Sequence, residues 1–384
     1  MSVYLDYNAT SPIDPRVLEV MVDIYKNHCG NADSRTHDFG EDTRQIVESS
    51  RVHIADLIGV KPGEVILTSG ATESNNMALL GFQEYGITSK RKHIITTSIE
   101  HKAILEAAKY LEHHGYEVEY IRPDQSGRIN ADEVLSRVRH DTLLVSVMHV
   151  NNETGIIQPV REIGEELSKT DVVFHTDATQ SCGKLVEEVR DLKYDALSFA
   201  AHKLYGPQGI GALILRKKRY KYPPIRPLFY GGPQEHGLRP GTTPVALVAG
   251  FGKACELAAN EYKIRMDECD QIKGLILQIL SDSGMQYRIN GDQRYCLPNT
   301  LNVSLCGISS EALMLATKQL CSISNGSACT SRNYNVSYVL SGMGLSQEDA
   351  ESAIRISWGL NTNPDDVSDS FQELIAVAKD MTTE

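Results

Sequence analysis

Residues 171–215 read DVVFHTDATQSCGKLVEEVRDLKYDALSFAAHKLYGPQGIGALIL, and three apolar runs inside them decide the fold. DVVFHTD (171–177), ALSFAAH (196–202) and GIGALIL (209–215) are short runs rich in β-branched and small residues, as buried strands are. Upstream, EVILTSG (64–70), HIITTS (93–98) and LLVSVMHV (143–150) repeat that character. Between the runs, residues 41–59, 73–86, 102–115 and 161–169 carry helical apolar spacing. Strands alternating with helices imply βαβ crossovers, so an α/β fold is expected: a large, mainly parallel sheet covered by helices on both faces. Ligands on such sheets gather in the loops at the strand ends. Beyond about residue 245 the rhythm changes. A long helical stretch (244–280) leads to short strands, TLNVSL (300–305) and RISW (355–358), interleaved with helices. That half reads as a smaller α+β domain.

Composition narrows the function. With 41% apolar and 23% charged residues, the 384-residue chain is neither disordered nor collagen-like. Thirty-eight basic against 50 acidic residues leave a net charge of −12, a field that disfavours direct nucleic-acid binding. The sequence has no apolar run near the roughly 20 residues of a membrane span, and its start, MSVYLDYNAT, has no signal-peptide core. A cytoplasmic protein without membrane contact is the expectation. The 8 cysteines follow no CxxC or Cys/His ladder, which argues against structural zinc and a dithiol motif. The default for each of them is a small buried hydrophobe. The basic run Arg216–Arg219 reads as a solvated turn, and His113–His114 as cations at a helix C-terminus.

Five loops carry chemistry. Thr68-Ser69-Gly70-Ala71-Thr72-Glu73 follows a strand and opens a helix; it is either a phosphate cup at a helix N-terminus or a simple capping turn. It is not a P-loop, and Gly209-Ile210-Gly211 is not a dinucleotide fingerprint because it leads into a strand. Asp177 ends a strand with no adjacent cation, so it either caps a helix or awaits a cationic partner such as a protonated pyridine. Lys203, between Ala200-Ala201 and Tyr205-Gly206-Pro207, is either solvent-facing or a desolvated amine able to form a Schiff base. His101 begins a helix, where it is either a half-exposed cap or an aromatic that stacks on a flat ring and moves protons. Cys329 lies in a stretch from Ser324 to Asn335 dominated by Ser, Asn, Gly and Thr, which reads as a mobile loop presenting a reactive thiol.

The ordered set TSGATES, EHKAIL, HVNNETG, DATQ, AHKLYGPQGIGAL, RPGT, NGSACTS and IRIS, preceded by YLDYNAT at residue 4, resembles the cysteine desulfurases of the NifS/IscS type. These are class V, fold-type I pyridoxal-phosphate enzymes. The resemblance implies a homodimer, with a large cofactor domain (15–258) and a small domain from both chain ends (1–14 and 259–384). The small domain would carry the mobile cysteine loop (about 322–336). It implies removal of sulfur from L-cysteine, giving L-alanine and a persulfide on Cys329 that passes to a sulfur-acceptor protein for iron–sulfur assembly, tRNA thiolation or DNA phosphorothioation. Selenocysteine lyase or another class V aminotransferase is the alternative. By the same resemblance Lys203 carries pyridoxal 5'-phosphate, Asp177 pairs the ring nitrogen and Gln180 the ring hydroxyl. His101 stacks on the ring and moves protons. Ala71, Thr72 and His202 hold the phosphate, and Thr242 reaches the partner's phosphate. Asn152 and Arg355 meet the substrate carboxylate. Some positions depart from the family pattern: Ala200 for a phosphate-binding serine, His236 for arginine, Ala32 for proline, and Trp358 and Leu360 for leucine and arginine. These departures are expected to touch the phosphate cup and the substrate mouth, with Ser198 a substitute for the hydroxyl missing at Ala200.

Overall fold

The computed structural model describes residues 2–325 and 336–382. Its strands are β1 (Val3–Tyr4), β2 (Val65–Thr68), β3 (His93–Thr97), β4 (Glu117–Ile121), β5 (Thr142–Ser146), β6 (Val173–Asp177), β7 (Ala196–Ala200), β8 (Gly211–Leu215), β9 (Tyr287–Ile289), β10 (Thr300–Leu305), β11 (Cys321–Ser322) and β12 (Ala353–Ser357). Seven of them form one sheet in the order β2-β8-β7-β6-β5-β3-β4. Only β8 runs against its neighbours, β2 and β7; the other pairings are parallel. Hence β2, β3, β5, β6 and β7 all end at one edge.

Side-chain alternation explains why both faces are covered. On one face Leu67, Leu197, Phe199, Ala212 and Ile214 pack with the helices Pro15–Asn27 and Asp38–Ile58. On the other, Ile66, Ile94, Leu144, Leu213 and Leu215 pack with Ala71–Leu80 and Lys102–His113. A strand with apolar groups on both faces reads as the continuous runs seen in the sequence. β4 escapes that reading: EVEYI has charged and half-buried residues and lies at the sheet edge. The 73–86 stretch also splits, into helices Ala71–Leu80 and Gln83–Ser89. The Arg226 amide donates to the Gly81 carbonyl at 2.9 Å, taking the acceptor that a continuous helix would use.

The helix Val245–Asp282 is 38 residues long, about 57 Å at 1.5 Å per residue. Its first half buries Val248, Phe251, Ala254 and Ala258 in the first core. Its second half buries Cys269, Ile272, Ile276 and Leu280 in a separate core with Leu301, Ile354, Trp358 and Phe371. That core lies beside the antiparallel sheet β12-β10-β9 and the helix Pro364–Thr382. β1 pairs in parallel with β11, tying the N-terminus to this second unit. Trp358 is fully buried here, and its indole N–H donates to the Cys269 carbonyl at 2.9 Å. It is a packing anchor and not a residue of the substrate mouth.

Two glycines let the β2–helix turn lie flat against β8. Gly70 has φ 152°, which side chains rarely allow. A Cβ on Gly211 would sit 2.6 Å from the Phe199 carbonyl oxygen and 2.7 Å from Gly70 Cα. Gly211→Ala therefore pushes the turn off the sheet and is expected to cost about 1–3 kcal/mol of stability. Urea unfolding checks this as a lowered midpoint at an unchanged slope.

Candidate active site

The shared strand edge holds a cavity of about 470 Å3. From β2 and its following helix come Ala71 and Thr72, after β3 comes His101, and after β5 comes Asn152. Asp177 ends β6 with Gln180 just beyond, and His202 and Lys203 follow β7. Arg355, from β12, closes the wall from the second unit. These sequence-singled residues thus meet in one place. Thr242 does not join them; it is exposed and lies outside this cavity. Cys329 lies outside the described residues.

One end of the cavity suits an anion. The helix Ala71–Leu80 starts there, and its first amides have no partner within the helix. Glu73 folds back to accept from the Ser69 amide at 2.7 Å and pairs with Arg239 at 3.0 Å. Burial alone would raise this carboxyl, but the Ser69 hydrogen bonds and Arg239 outweigh it and hold it below its usual range. His202 shares a hydrogen bond at 3.1 Å with the Thr10 hydroxyl, and burial beside Lys203 pushes its imidazole down to about 4. It is therefore a neutral hydrogen-bonding group near pH 7.

Another part of the lining suits an amino acid. The Arg355 guanidinium, 2% exposed, donates to the Asn152 carbonyl at 3.0 Å and to Asp6 Oδ1 at 2.5 Å. Its Nε, together with Asn152 Oδ1 and Thr179 Oγ1, is buried without a hydrogen-bond partner among the described residues. Unpaired buried polar atoms are costly, and all three residues line the cavity.

The same lining carries the reactive groups. Lys203 Nζ donates to the Asn8 carbonyl at 2.5 Å and the Ala9 carbonyl at 2.6 Å. Two residues on, Tyr205 adopts φ 66°, a strained conformation for a bulky side chain held where the lysine turn must bend. Asp177 is buried and accepts from Asn75 Nδ2 at 2.6 Å and the Thr179 amide at 2.9 Å. His101 caps the helix Lys102–His113: its Nδ1 accepts from the Ala103 amide at 3.1 Å. With Nδ1 so used, the proton of the neutral ring sits on Nε2.

The aminotransferase class-V family profile matches residues 3–369. This chain is a class-V aminotransferase family member, of the NifS/IscS type. Cysteine desulfurase IscS of Escherichia coli is 42% identical over 370 residues, covering 96% of this chain and 90% of that protein. A solved NifS-like protein superposes with TM-score 0.91 at 35% identity, covering 99% of this chain and all of its own. A structure of SspA in complex with cysteine matches with TM-score 0.81 at 34% identity over 93% of this chain and 98% of its own.

Within this family member, the expected effects of the departures need correction. Ala32, Ala200, His236, Trp358 and Leu360 all lie outside the cavity lining. Ser198 does not replace the hydroxyl missing at Ala200, because it is spent on His175 Nε2 at 2.9 Å. Ser69 does line the cavity, at the anion end. Sequence reasoning missed it, together with Asn8, Met148 and Val150. Ser69 sat inside TSGATES and Asn8 inside YLDYNAT, but neither motif by itself assigned them a role.

Two carboxyls brace the cavity from behind. Glu100 Oε1 accepts from the Thr97 hydroxyl and the Met148 amide, both at 2.8 Å. Glu153 accepts from the Ser337 hydroxyl at 2.5 Å, and burial raises it. Burial pushes Glu100 from 4.5 up to about 8. A raised acid favours the fold while protonated, so this contribution is intact below about pH 4.5 and is lost as pH rises through about 8. Glu100→Gln, neutral throughout, should therefore gain in melting temperature relative to the parent between about pH 5 and about pH 9. A difference that stays flat across that range would contradict a protonated Glu100.

Proposed function

We propose that this chain binds pyridoxal 5'-phosphate and removes sulfur from L-cysteine, giving L-alanine and a persulfide on Cys329 that passes to an acceptor protein. The observation that carries the reading is the convergence of Lys203, Asp177 and Arg355 on one cavity that ends at a helix N-terminus. The donor set fits the cofactor. Ala71, Thr72, Ser69 and neutral His202 would hold a phosphate, and Asp177, fixed by Asn75, would hold a protonated ring nitrogen. Gln180 would donate to the ring oxygen, and Lys203 would bind the aldehyde carbon. Bound pyridoxal phosphate supplies an electron sink for charge developing at the substrate α-carbon.

The chain's own groups do the rest. Arg355 and Asn152, which line the cavity, would orient the amino acid. Lys203, once released, would move the proton at the α-carbon. His101 would deliver a proton from Nε2, the nitrogen its cap contact leaves protonated. The Cys329 thiolate would attack the substrate sulfur, the S–S bond forming as the substrate Cβ–S bond breaks and leaves its electron pair on the carbon fragment, which is protonated to alanine. We place the domain division at 15–258 against 1–14 with 259–384, supported by the two separate cores along the long helix. A homodimer in which Thr242 reaches the partner's phosphate fits the exposure of Thr242.

Purified protein with added pyridoxal phosphate should be yellow and release equal amounts of alanine and, with a thiol reductant, sulfide. Cys329→Ala should lose sulfide release; release at the parent's rate would overturn the persulfide step, and keto-acid formation in place of sulfide would overturn the reaction class. Arg355→Lys should raise KM for L-cysteine about tenfold with a smaller change in kcat, because a point charge replaces a planar fork.

A further inference from the structure

Lys184 is a buried cation that none of the roles above uses. It is 7% exposed, and no ion pair joins it among the described residues. Its ammonium donates to the Gln180 carbonyl at 3.0 Å and to Gln180 Oε1 at 3.3 Å. The turn that allows this contains Gly183 at φ 78°, where a Cβ would come within 3.1 Å of Leu204. Cys182 on the same turn and Cys269 on the long helix are the titratable groups whose charge reaches Lys184. Burial pushes both thiols up, Cys269 to about 12, so neither is a thiolate counter-ion near pH 7. Burial in turn lowers Lys184 to about 8. An ammonium placed without an anion costs stability, so what it touches deserves a reason.

The Gln180 amide is gripped from two sides. Lys184 can only donate, so it selects Oε1. The Asn8 carbonyl can only accept, and it takes Gln180 Nε2 at 3.0 Å. A flipped amide would set NH2 against the ammonium and Oε1 against a carbonyl already receiving Lys203. One N–H of Nε2 is then left for the cavity that Gln180 lines.

We propose that Lys184 is a positioning residue that locks the Gln180 amide with an N–H turned into the cavity, so that the ring oxygen it meets is held as an anion. This rests on the pyridoxal phosphate reading above and adds a residue to it. The expected sign follows from charge. A ring oxyanion is offset by the neighbouring imine proton while that proton is present, and needs the Gln180 donor more once it leaves. The donor therefore favours proton loss, and removing Lys184 or Gln180 raises the pH at which the proton departs.

The test is the pH midpoint of the colour change of bound pyridoxal phosphate in the full chain. Lys184→Met should raise the midpoint by about one unit. Gln180→Leu should raise it at least as far, and the double variant should match Gln180→Leu alone. An unmoved midpoint in Lys184→Met overturns the proposal. So does an equal Lys184→Met shift with and without Gln180, which would mean a bare charge effect. Should Lys184→Met not fold, Gln180→Leu with Lys184 intact still decides, since an unmoved midpoint there removes the donor the proposal depends on. A parent chain that takes up no pyridoxal phosphate would instead overturn the cofactor reading, and the two failures are distinct.

Discussion

Asn8 spends nearly every polar atom on holding the two units together. Its backbone amide donates to the Ser357 hydroxyl, its Nδ2 to the Asn152 carbonyl and the Thr300 hydroxyl, and its carbonyl accepts from both Lys203 and Gln180. A single buried residue thus joins β10 and β12 on one side to the loops after β5, β6 and β7 on the other. Buried polar groups in such a network are stabilising only while all are satisfied. The cavity depends on that condition, because Lys203 and Gln180 take their positions from the same carbonyl oxygen.

The electrostatic layout follows from how this junction excludes water. Groups deep in the wall are held neutral: His202 by burial beside Lys203, and Glu100 mainly by burial, with the Asp177 charge adding to it. His175, within β6, is likewise pushed to about 4 by burial, and it spends its ring nitrogens on Ser146 and Ser198. The lining charges are few: Lys203 resting on carbonyls, Arg355 paired with Asp6, Asp177 fixed by Asn75, and Glu73 paired with Arg239. In a low-dielectric cavity those few dominate any charge that a bound molecule develops.

The sheet was legible because its central strands are apolar on both faces, and a one-dimensional pattern suffices for that. β4 was not, since an edge strand with glutamates lacks the pattern. Lys203, Asp177, His101 and Gln180 were legible because each lies within a few residues of a strand end. Asn8 and Glu153 were not singled out: their partners lie 144 to 349 residues away for Asn8, and 184 away for the Ser337–Glu153 contact. Spacing along the chain carries no trace of such closures. The readings of Trp358 and Ser198 misled for a related reason, since adjacency to a motif was taken for adjacency to the cavity. Alternation along a strand, and the neighbour across it, decide which way a side chain faces.

The N-terminal segment settles in part against residues made near the end of synthesis. Tyr7 and Asn8 bond Ser357, and β1 needs β11 as its neighbour. A nascent chain on the ribosome can assemble the large sheet while its first residues remain unattached, because those contacts close the longest loops in the molecule. Arg355, which β12 contributes to the cavity, joins only after the chain is nearly complete. Vectorial translation itself would then delay a competent reactive centre until the polypeptide is ready to leave.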